Sequence, residues 1–180
     1  MKMKSIMTCL IIPACVAVVG LGAQLHQSNG VRASMNFCPF MQDHNHSDGV
    51  NKRGDQAMGF DHLKTTHHFL LNKDGGIIQV EANDPKDHTS RDQIRMHLQH
   101  VAQMFGMGNF DIPMFVHDQE VPGTKQMKEL KDWISYRYAE TSNGARVVIT
   151  TKNPDALNAI YTFLRFQITD HNTGDSLEPK

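Results

Sequence analysis

The chain has 180 residues, a length that suits one domain of ordinary size. Its 18 Lys and Arg nearly balance 19 Asp and Glu, which argues against a nucleic-acid binder because such a protein needs a basic surface. Hydrophobic residues make up 39% of the sequence, enough for a packed core, and the unusual components are 11 His and 11 Met. Imidazole and thioether groups are metal ligands, so the composition points to metal binding.

The first 23 residues have the pattern of a signal peptide. A positively charged start precedes an apolar stretch over 6–21, and small residues follow it. The alternative, an uncleaved membrane anchor, is disfavoured because the stretch is short and Pro13 interrupts it. Removal of residues 1–23 leaves Cys38 as the one cysteine, so a disulfide within the mature chain is excluded. We expect a periplasmic or secreted protein without a membrane span after cleavage.

Residues 24–60 are poor in Leu and Val and rich in small polar residues, which is typical of a flexible arm. Four side chains that suit copper(I) or zinc lie within nine residues of this arm, namely Cys38, Met41, His44 and His46. The alternative is a polar tail whose histidines bind nothing. Residues 61–180 are predicted to form a single folded domain.

A hairpin, a break and a helix occur twice in this predicted domain. Each copy has two strands around an Asp-Gly or Asn-Gly turn, then an Asn/Asp-Pro break, then an amphipathic helix. The predicted strands are 66–71, 77–82, 133–140 and 146–151, and the predicted helices are 91–105 and 155–169. The pattern predicts an α+β fold made of a duplicated ββα unit, with a four-stranded antiparallel sheet and two helices on one face.

The turns and one connecting segment complete the predicted sheet. With residues 74–75 at the centre of the first turn, Leu71 pairs with Ile78, and the Asn-Gly turn sets the second hairpin in the same way. The apolar run 112–116 between the two units is predicted to be a short edge strand, where its proline is tolerated.

Four histidines of the predicted domain are placed where their side chains can meet. His67 lies on the helix-facing side of the first strand. His97 and His100 lie one turn apart on the first predicted helix, and His117 follows an apolar run that ends near that helix. Burying several imidazoles costs free energy unless their ring nitrogens find partners, and one metal ion can gather three or four of them. We therefore predict a metal site made of these four residues.

Weaker candidate ligands accompany this predicted site. They are His68 and Met104 of the domain and Cys38, Met41, His44 and His46 of the arm. Each candidate has an ordinary alternative, because a strand histidine can pair with a surface carboxylate and a helix histidine or methionine can fill the core. Copper is the first choice of ion because Met and Cys accompany the histidines, and zinc is the second.

Other cofactors and catalytic motifs give weaker signals. Noncovalent haem stays open because His97, Met104 and Phe105 can line an apolar pocket, whereas the sequence lacks the Cys-x-x-Cys-His motif of covalent haem. It also lacks a Gly-x-Ser-x-Gly elbow, a phosphate loop and a dinucleotide fingerprint. No catalytic residues are therefore predicted.

Three functions remain open at this point. The first is an exported protein that binds or handles copper or zinc at the histidine site. The second is a periplasmic metalloenzyme that uses the same histidines and keeps one coordination position open. The third is a structural or interaction protein that forms a homodimer through the uncovered face of the sheet.

Five short motifs support a family resemblance. They are Met-Gly-Phe at 58–60, Thr-Thr-His-His-Phe at 65–69, Ile-Arg-Met-His-Leu-Gln-His at 94–100, Phe-Val-His at 115–117 and Phe-Leu-Arg-Phe-Gln-Ile at 163–168. The segment 58–175 that contains them resembles an uncharacterised family of exported, His-rich bacterial proteins. The resemblance implies export but no activity. Some members carry the label aspartate carbamoyltransferase, but this chain is too short for that two-domain enzyme, so no catalytic residues are taken from it.

Overall fold

A computed structural model describes residues 40–180 of the protein, with side chains from residue 46 onward. The predicted signal peptide, the first part of the predicted arm and the side chains of Cys38, Met41 and His44 lie outside the described residues. No helix between residues 40 and 180 combines the length and the apolar character needed to cross a bilayer.

The described chain contains two strand pairs that are separated and flanked by helices. The elements are α1 (Phe40–Met58), β1 (Thr65–Asn72), β2 (Gly75–Ala82), α2 (His88–Gly106), α3 (Asp111–His117), α4 (Thr124–Glu129), β3 (Ile134–Glu140), β4 (Gly144–Thr151) and α5 (Pro154–Asp170), with 3₁₀-helices at His62–Lys64 and Lys131–Trp133. The strands form one antiparallel sheet in the order β1-β2-β4-β3. The predicted α+β class and the four-stranded antiparallel sheet are thus confirmed. Duplication of one ββα unit stays a prediction.

The two helices that follow the hairpins, α2 and α5, contribute most of the core. Nearly every second residue along β1, β2 and β4 is buried on one face of the sheet. This face packs against buried residues of both helices, among them Ile94, Leu98, Ile160 and Leu164. Local capping fixes where these helices start. The Asp87 carboxylate accepts a hydrogen bond from the Ser90 backbone amide at the start of α2, and Asn153 caps α5 just before Pro154.

The opposite face of the sheet carries a central row of Leu70, Ile77 and Val148 across three neighbouring strands. These side chains are half-buried, and polar residues lie on both sides of the row. Use of this face for a homodimer stays a prediction.

The predicted hairpin registers are wrong by two residues. Leu71 pairs with Gly76, and Phe69 pairs with Ile78. The central turn residues are 73–74 rather than 74–75, so Gly75 is already the first residue of β2. Because side chains alternate with a period of two, the shift leaves the same residues on the core face.

The glycine after each hairpin turn lies against the backbone of the other hairpin. Gly75 has φ of 152°, and a Cβ on it would strike the carbonyl oxygen of Ile149 on β4. A Cβ on Gly144 would strike the carbonyl oxygen of Val80 on β2. Both glycines therefore allow the central strands β2 and β4 to approach, which a turn-based interpretation does not reveal.

Two predicted segments have different structures. Residues 40–58 of the predicted arm form α1, where Val50 is 1% exposed and Arg53 Nε donates to the Val116 carbonyl oxygen over 2.8 Å. The sequence of this helix has few apolar residues that would predict it. The helix is stabilised instead by a small number of contacts with residues distant in sequence. The predicted edge strand 112–116 lies within α3, whose first turn tolerates Pro113 because amide donors there need no helical partner.

The C-terminal tail runs back along the edge strand β1. It reverses at Asn172, which has φ of 51°, and Asp175 then accepts a hydrogen bond from the Phe69 amide over 2.9 Å. Farther along, the Lys180 amide donates to the Leu71 carbonyl. The tail covers backbone groups that an edge strand otherwise exposes, and it holds the end of α5 against β1.

We expect Gly144→Ala to destabilise the fold by more than about 2 kcal/mol, because the added methyl group meets the Val80 backbone rather than a movable side chain. Urea denaturation measures the change. Gly106→Ala is the matched control, since a Cβ there meets nothing within 4 Å, and we expect its free energy of unfolding to change by less than about 0.5 kcal/mol. Equal effects of the two substitutions would contradict the close approach of the central strands.

Candidate metal centre

A cavity of about 70 Å³ lies between the sheet and helices α2, α3 and α5. Its polar lining consists of His67, His97, His117, His171 and Gln167, and its apolar lining includes Met58 at the end of α1. None of the described residues that line it is an Asp, Glu, Lys or Arg. The volume suits an ion or a few water-sized groups, and it is well below the roughly 300 Å³ at which pockets for drug-sized ligands begin.

Met58 and His67 contact each other in the cavity lining. The Nε2–H of His67 donates a hydrogen bond to the Met58 sulfur over 3.2 Å, since a thioether can only accept. The His67 ring also lies parallel to the His171 ring, with 6.0 Å between the centroids. Burial first, and then the proximity of His171 and His97, lowers the pKa of His67 to about 3. The ring is therefore uncharged at neutral pH, and one nitrogen keeps a lone pair that can bind an ion.

His117, the last residue of α3, is 2% exposed and contacts two polar side chains of α5. Its Nδ1–H donates to Asp170 Oδ2 over 2.6 Å, and its Nε2 lies 3.1 Å from Gln167 Oε1. The carboxylate orients the ring and leaves Nε2 as the nitrogen on the Gln167 side. Gln167 is 4% exposed, and its Nε2 has no hydrogen-bond partner among the described residues.

Asp170 connects the cavity wall with α1. Its Oδ1 accepts a hydrogen bond from His46 Nε2 over 2.9 Å, while Oδ2 accepts the bond from His117. Burial acts to raise the pKa of Asp170, but the hydrogen bonds from His46 and His117 outweigh burial and hold that pKa below its ordinary value. The ionised carboxylate therefore ties α1 and α3 to the end of α5.

His171 and His97 complete the ring of imidazoles. The His171 ring follows α5 directly, with its centroid 4.9 Å from that of His117. Burial, and after it the proximity of His117, lowers the pKa of His171 to about 4. His97 on α2 lies edge-on to Phe60, and burial followed by the proximity of His100 lowers the pKa of His97 to about 4.

The structure brings three of the four primary predicted ligands to this cavity and leaves one outside. His67, His97 and His117 line it, whereas His100 is exposed on α2. Residues three apart on a helix differ by about 60° around its axis, and this rotation carries His100 past the edge of the buried face.

The weaker predicted ligands that the structure describes do not line the cavity. His68 pairs with Asp175, His46 pairs with Asp170, and Met104 packs against the core elsewhere. Sequence reasoning missed His171, Met58 and Gln167. The spacing of Gln167 and His171, four residues apart at the end of a predicted helix, is a signal that could have placed both on one face.

Another group of side chains could hold a metal ion. Among residues 40–180, one set of three His, Cys, Asp or Glu side chains has its ligand atoms all within 4.8 Å, and it consists of Asp55, Asp61 and His62. Ordinary capping accounts for these contacts, since Asp55 accepts hydrogen bonds from the His62 amide and ring, and Asp61 caps the first 3₁₀-helix. No three cavity histidines meet that spacing, so a site in the cavity needs Met58 as a ligand or a rotation of the rings.

Comparisons with known protein families, with curated proteins and with solved structures find no match to this chain. The resemblance to exported bacterial proteins therefore stays a prediction, and the functional argument rests on the geometry of the cavity.

The metal-free protein should lose stability in acid. The pKa values of His67, His97 and His171 lie at about 3, 4 and 4 in the folded state, below the ordinary value of 6.5, so the unfolded chain binds more protons between these limits. Stability is fully present above pH 6.5 and decreases as the pH falls toward 4, with each histidine contributing up to about 1.4 kcal/mol per pH unit.

Urea denaturation between pH 4.5 and 7.5 measures this slope. We expect His67→Gln to reduce it, whereas His88→Gln leaves it unchanged because His88 lies at the start of α2 and does not line the cavity. A pH slope that His67→Gln does not reduce would contradict the burial of an uncharged ring.

Proposed function

We propose that the protein binds one transition-metal ion in the cavity, with Met58 and His67 as the first pair of ligands and His117 and His171 as further ligands. The observation that carries this proposal is the set of imidazoles around one small cavity, of which His67, His97 and His171 have pKa values far below the ordinary value. An uncharged imidazole is the form that binds metal ions.

The contact between Met58 and His67 has the dimensions of a chelating pair. A zinc ion lies about 2.3 Å from sulfur ligands and about 2.0–2.1 Å from imidazole nitrogens. Once the Nε2 proton of His67 has moved to Nδ1 of the same ring, the Met58 sulfur and Nε2, which are 3.2 Å apart, can contact one ion of similar size together.

The surroundings of His117 are those of a metal-binding histidine. Such residues commonly donate the second ring N–H to a carboxylate, which orients the ring and increases its basicity. Asp170 fills this role at His117 Nδ1. On this proposal Nε2 turns to the ion and Gln167 gives up its contact with that nitrogen.

The size of the cavity restricts the choice of cofactor. A haem is far larger than about 70 Å³, so the proposal is limited to an ion, with copper first and zinc second. Export to the periplasm or the exterior remains part of the proposal because of the signal-like pattern of residues 1–23.

We also propose that the two hairpin–helix segments are copies of one unit. In support, β2 and β4 pair at the centre of the sheet, β1 and β3 lie at its edges, and Gly75 and Gly144 occupy corresponding positions. Of the cavity histidines, His67 and His97 belong to the first segment and His171 follows the helix of the second, while His117 lies on α3 between them.

A second candidate function is that of a metalloenzyme. It is favoured by the volume of the cavity, about 70 Å³, which leaves room for a small molecule next to the ion. Spectra of the cobalt-loaded protein with and without azide decide between the two functions, since a change on addition of azide indicates an open coordination position.

We expect the purified protein to retain about one ion in the cavity after exposure to Cu(I) or Zn(II) and removal of the excess. The double variant His67→Ala with His171→Ala should lose that ion. His100→Ala is the matched control, because this histidine is exposed and lies outside the cavity. Elemental analysis by mass spectrometry measures the ion, and circular dichroism checks that each variant is folded.

The arm needs its own control, because Cys38 and His44 lie in the predicted capture segment. All measurements are therefore repeated in a background with Cys38→Ser and His44→Ala, to which Cys9→Ser and Cys15→Ser are added wherever residues 1–23 are retained. Retention of the ion by the His67 and His171 double variant in that background would refute a site in the cavity.

A further inference from the structure

The charge of the cavity wall limits the ions that it can accept. The residues that line the cavity are apolar, or they are histidines and a glutamine, and none of the described ones carries a carboxylate. The nearby carboxylate of Asp170 uses one oxygen for His117 and the other for His46, so it is turned away from the cavity. No negatively charged group among the described residues of the wall therefore offsets the charge of an ion in the cavity.

Such surroundings destabilise a divalent ion more than a monovalent ion. The free energy of moving an ion from water into a medium of low polarity grows with the square of its charge. Zinc sites usually lower this cost with thiolate or carboxylate ligands, or they complete four ligands with water. The cavity wall offers no thiolate among its described residues, and side chains such as Phe69, Val116 and Phe163 make most of the wall apolar.

The available ligand atoms suit a soft ion with few ligands. The Met58 sulfur is a thioether, which favours Cu(I) over the harder divalent ions. The histidine nitrogens are too widely spaced for three of them to fall within 4.8 Å of one another, which disfavours a tetrahedral site made of imidazoles alone. A sulfur and one or two nitrogens are enough for Cu(I).

From these observations we infer that the cavity selects Cu(I) over Zn(II), an inference that rests on the proposed metal-binding function. Met58 is the residue that determines this specificity through its sulfur, and the uncharged wall is the feature that rejects the divalent ion.

Competition titrations of the full chain, in the Cys38→Ser and His44→Ala background with Cys9→Ser and Cys15→Ser added, test this selectivity. A chromophoric chelator competes for Cu(I) under anaerobic reducing conditions, and a fluorescent chelator competes for Zn(II). We expect Cu(I) to bind roughly 100-fold more tightly than Zn(II). Met58→Leu, which keeps the apolar volume but removes the sulfur, should weaken Cu(I) binding about tenfold and leave Zn(II) binding nearly unchanged.

Two further variants make the outcome decisive. Met104→Leu, a methionine substitution away from the cavity, should change neither affinity. Met58→Glu adds a carboxylate to the wall and should reduce the ratio of the Cu(I) affinity to the Zn(II) affinity. Equal affinities for the two ions, or tighter binding of Zn(II), with both still dependent on His67, would overturn the selectivity alone. Binding that His67→Ala does not weaken for either ion would overturn the metal site itself.

Discussion

The burial of uncharged imidazoles around one small cavity is the constraint on which the rest of the site depends. Charging any of these rings in apolar surroundings costs free energy, and burial is the first cause of the lowered pKa values of His67, His97 and His171. The burial that makes protonation of these rings unfavourable also keeps a nitrogen lone pair available on each of them at neutral pH. His117 differs from the other rings in having a carboxylate partner, because its Nδ1–H donates to Asp170 Oδ2. The cavity wall thus combines three uncharged imidazoles with one histidine, His117, that a carboxylate orients.

The fold supplies these groups from separate elements, so the cavity exists only in the folded chain. His67 comes from β1, His97 from α2, His117 from the end of α3 and His171 from the residue after α5. Met58 arrives with α1, which is held through the contacts of Arg53 with Val116 and of His46 with Asp170. The C-terminal tail adds a further constraint, because Asp175 bonds to β1 only four residues after His171. Ligand binding to such a site stabilises the fold, and loosening of the tail or of α1 would weaken the site.

The sequence predicts the parts of this structure that depend on local patterns. The two hairpins and the helices α2 and α5 follow from periodicity, turn residues and breaks, and the core face follows because a shift of two residues preserves it. Contacts distant in sequence defeat the same reasoning. Gly75 serves the neighbouring hairpin rather than its own turn, and α1 is stabilised by a few tertiary contacts in a polar stretch. The sequence did not reveal that His171 rather than His100 lines the cavity, for a related reason. Helical spacing groups side chains on one face, but it does not show which edge of that face borders a cavity or what the chain does after the helix ends.

The central claim is that His67, His97 and His171 stay uncharged well below the pH at which exposed histidines gain a proton. Nitrogen-15 NMR of the imidazole rings in the metal-free protein, recorded from pH 7.5 to 4.5 with assignments from single His→Gln variants, tests it directly. The structure predicts that the ring shifts of His67 remain constant over this range and that those of His97 and His171 begin to change only near its acidic end, in line with pKa values of about 3, 4 and 4. Titration of these three rings near pH 6.5 in the folded protein would contradict the account.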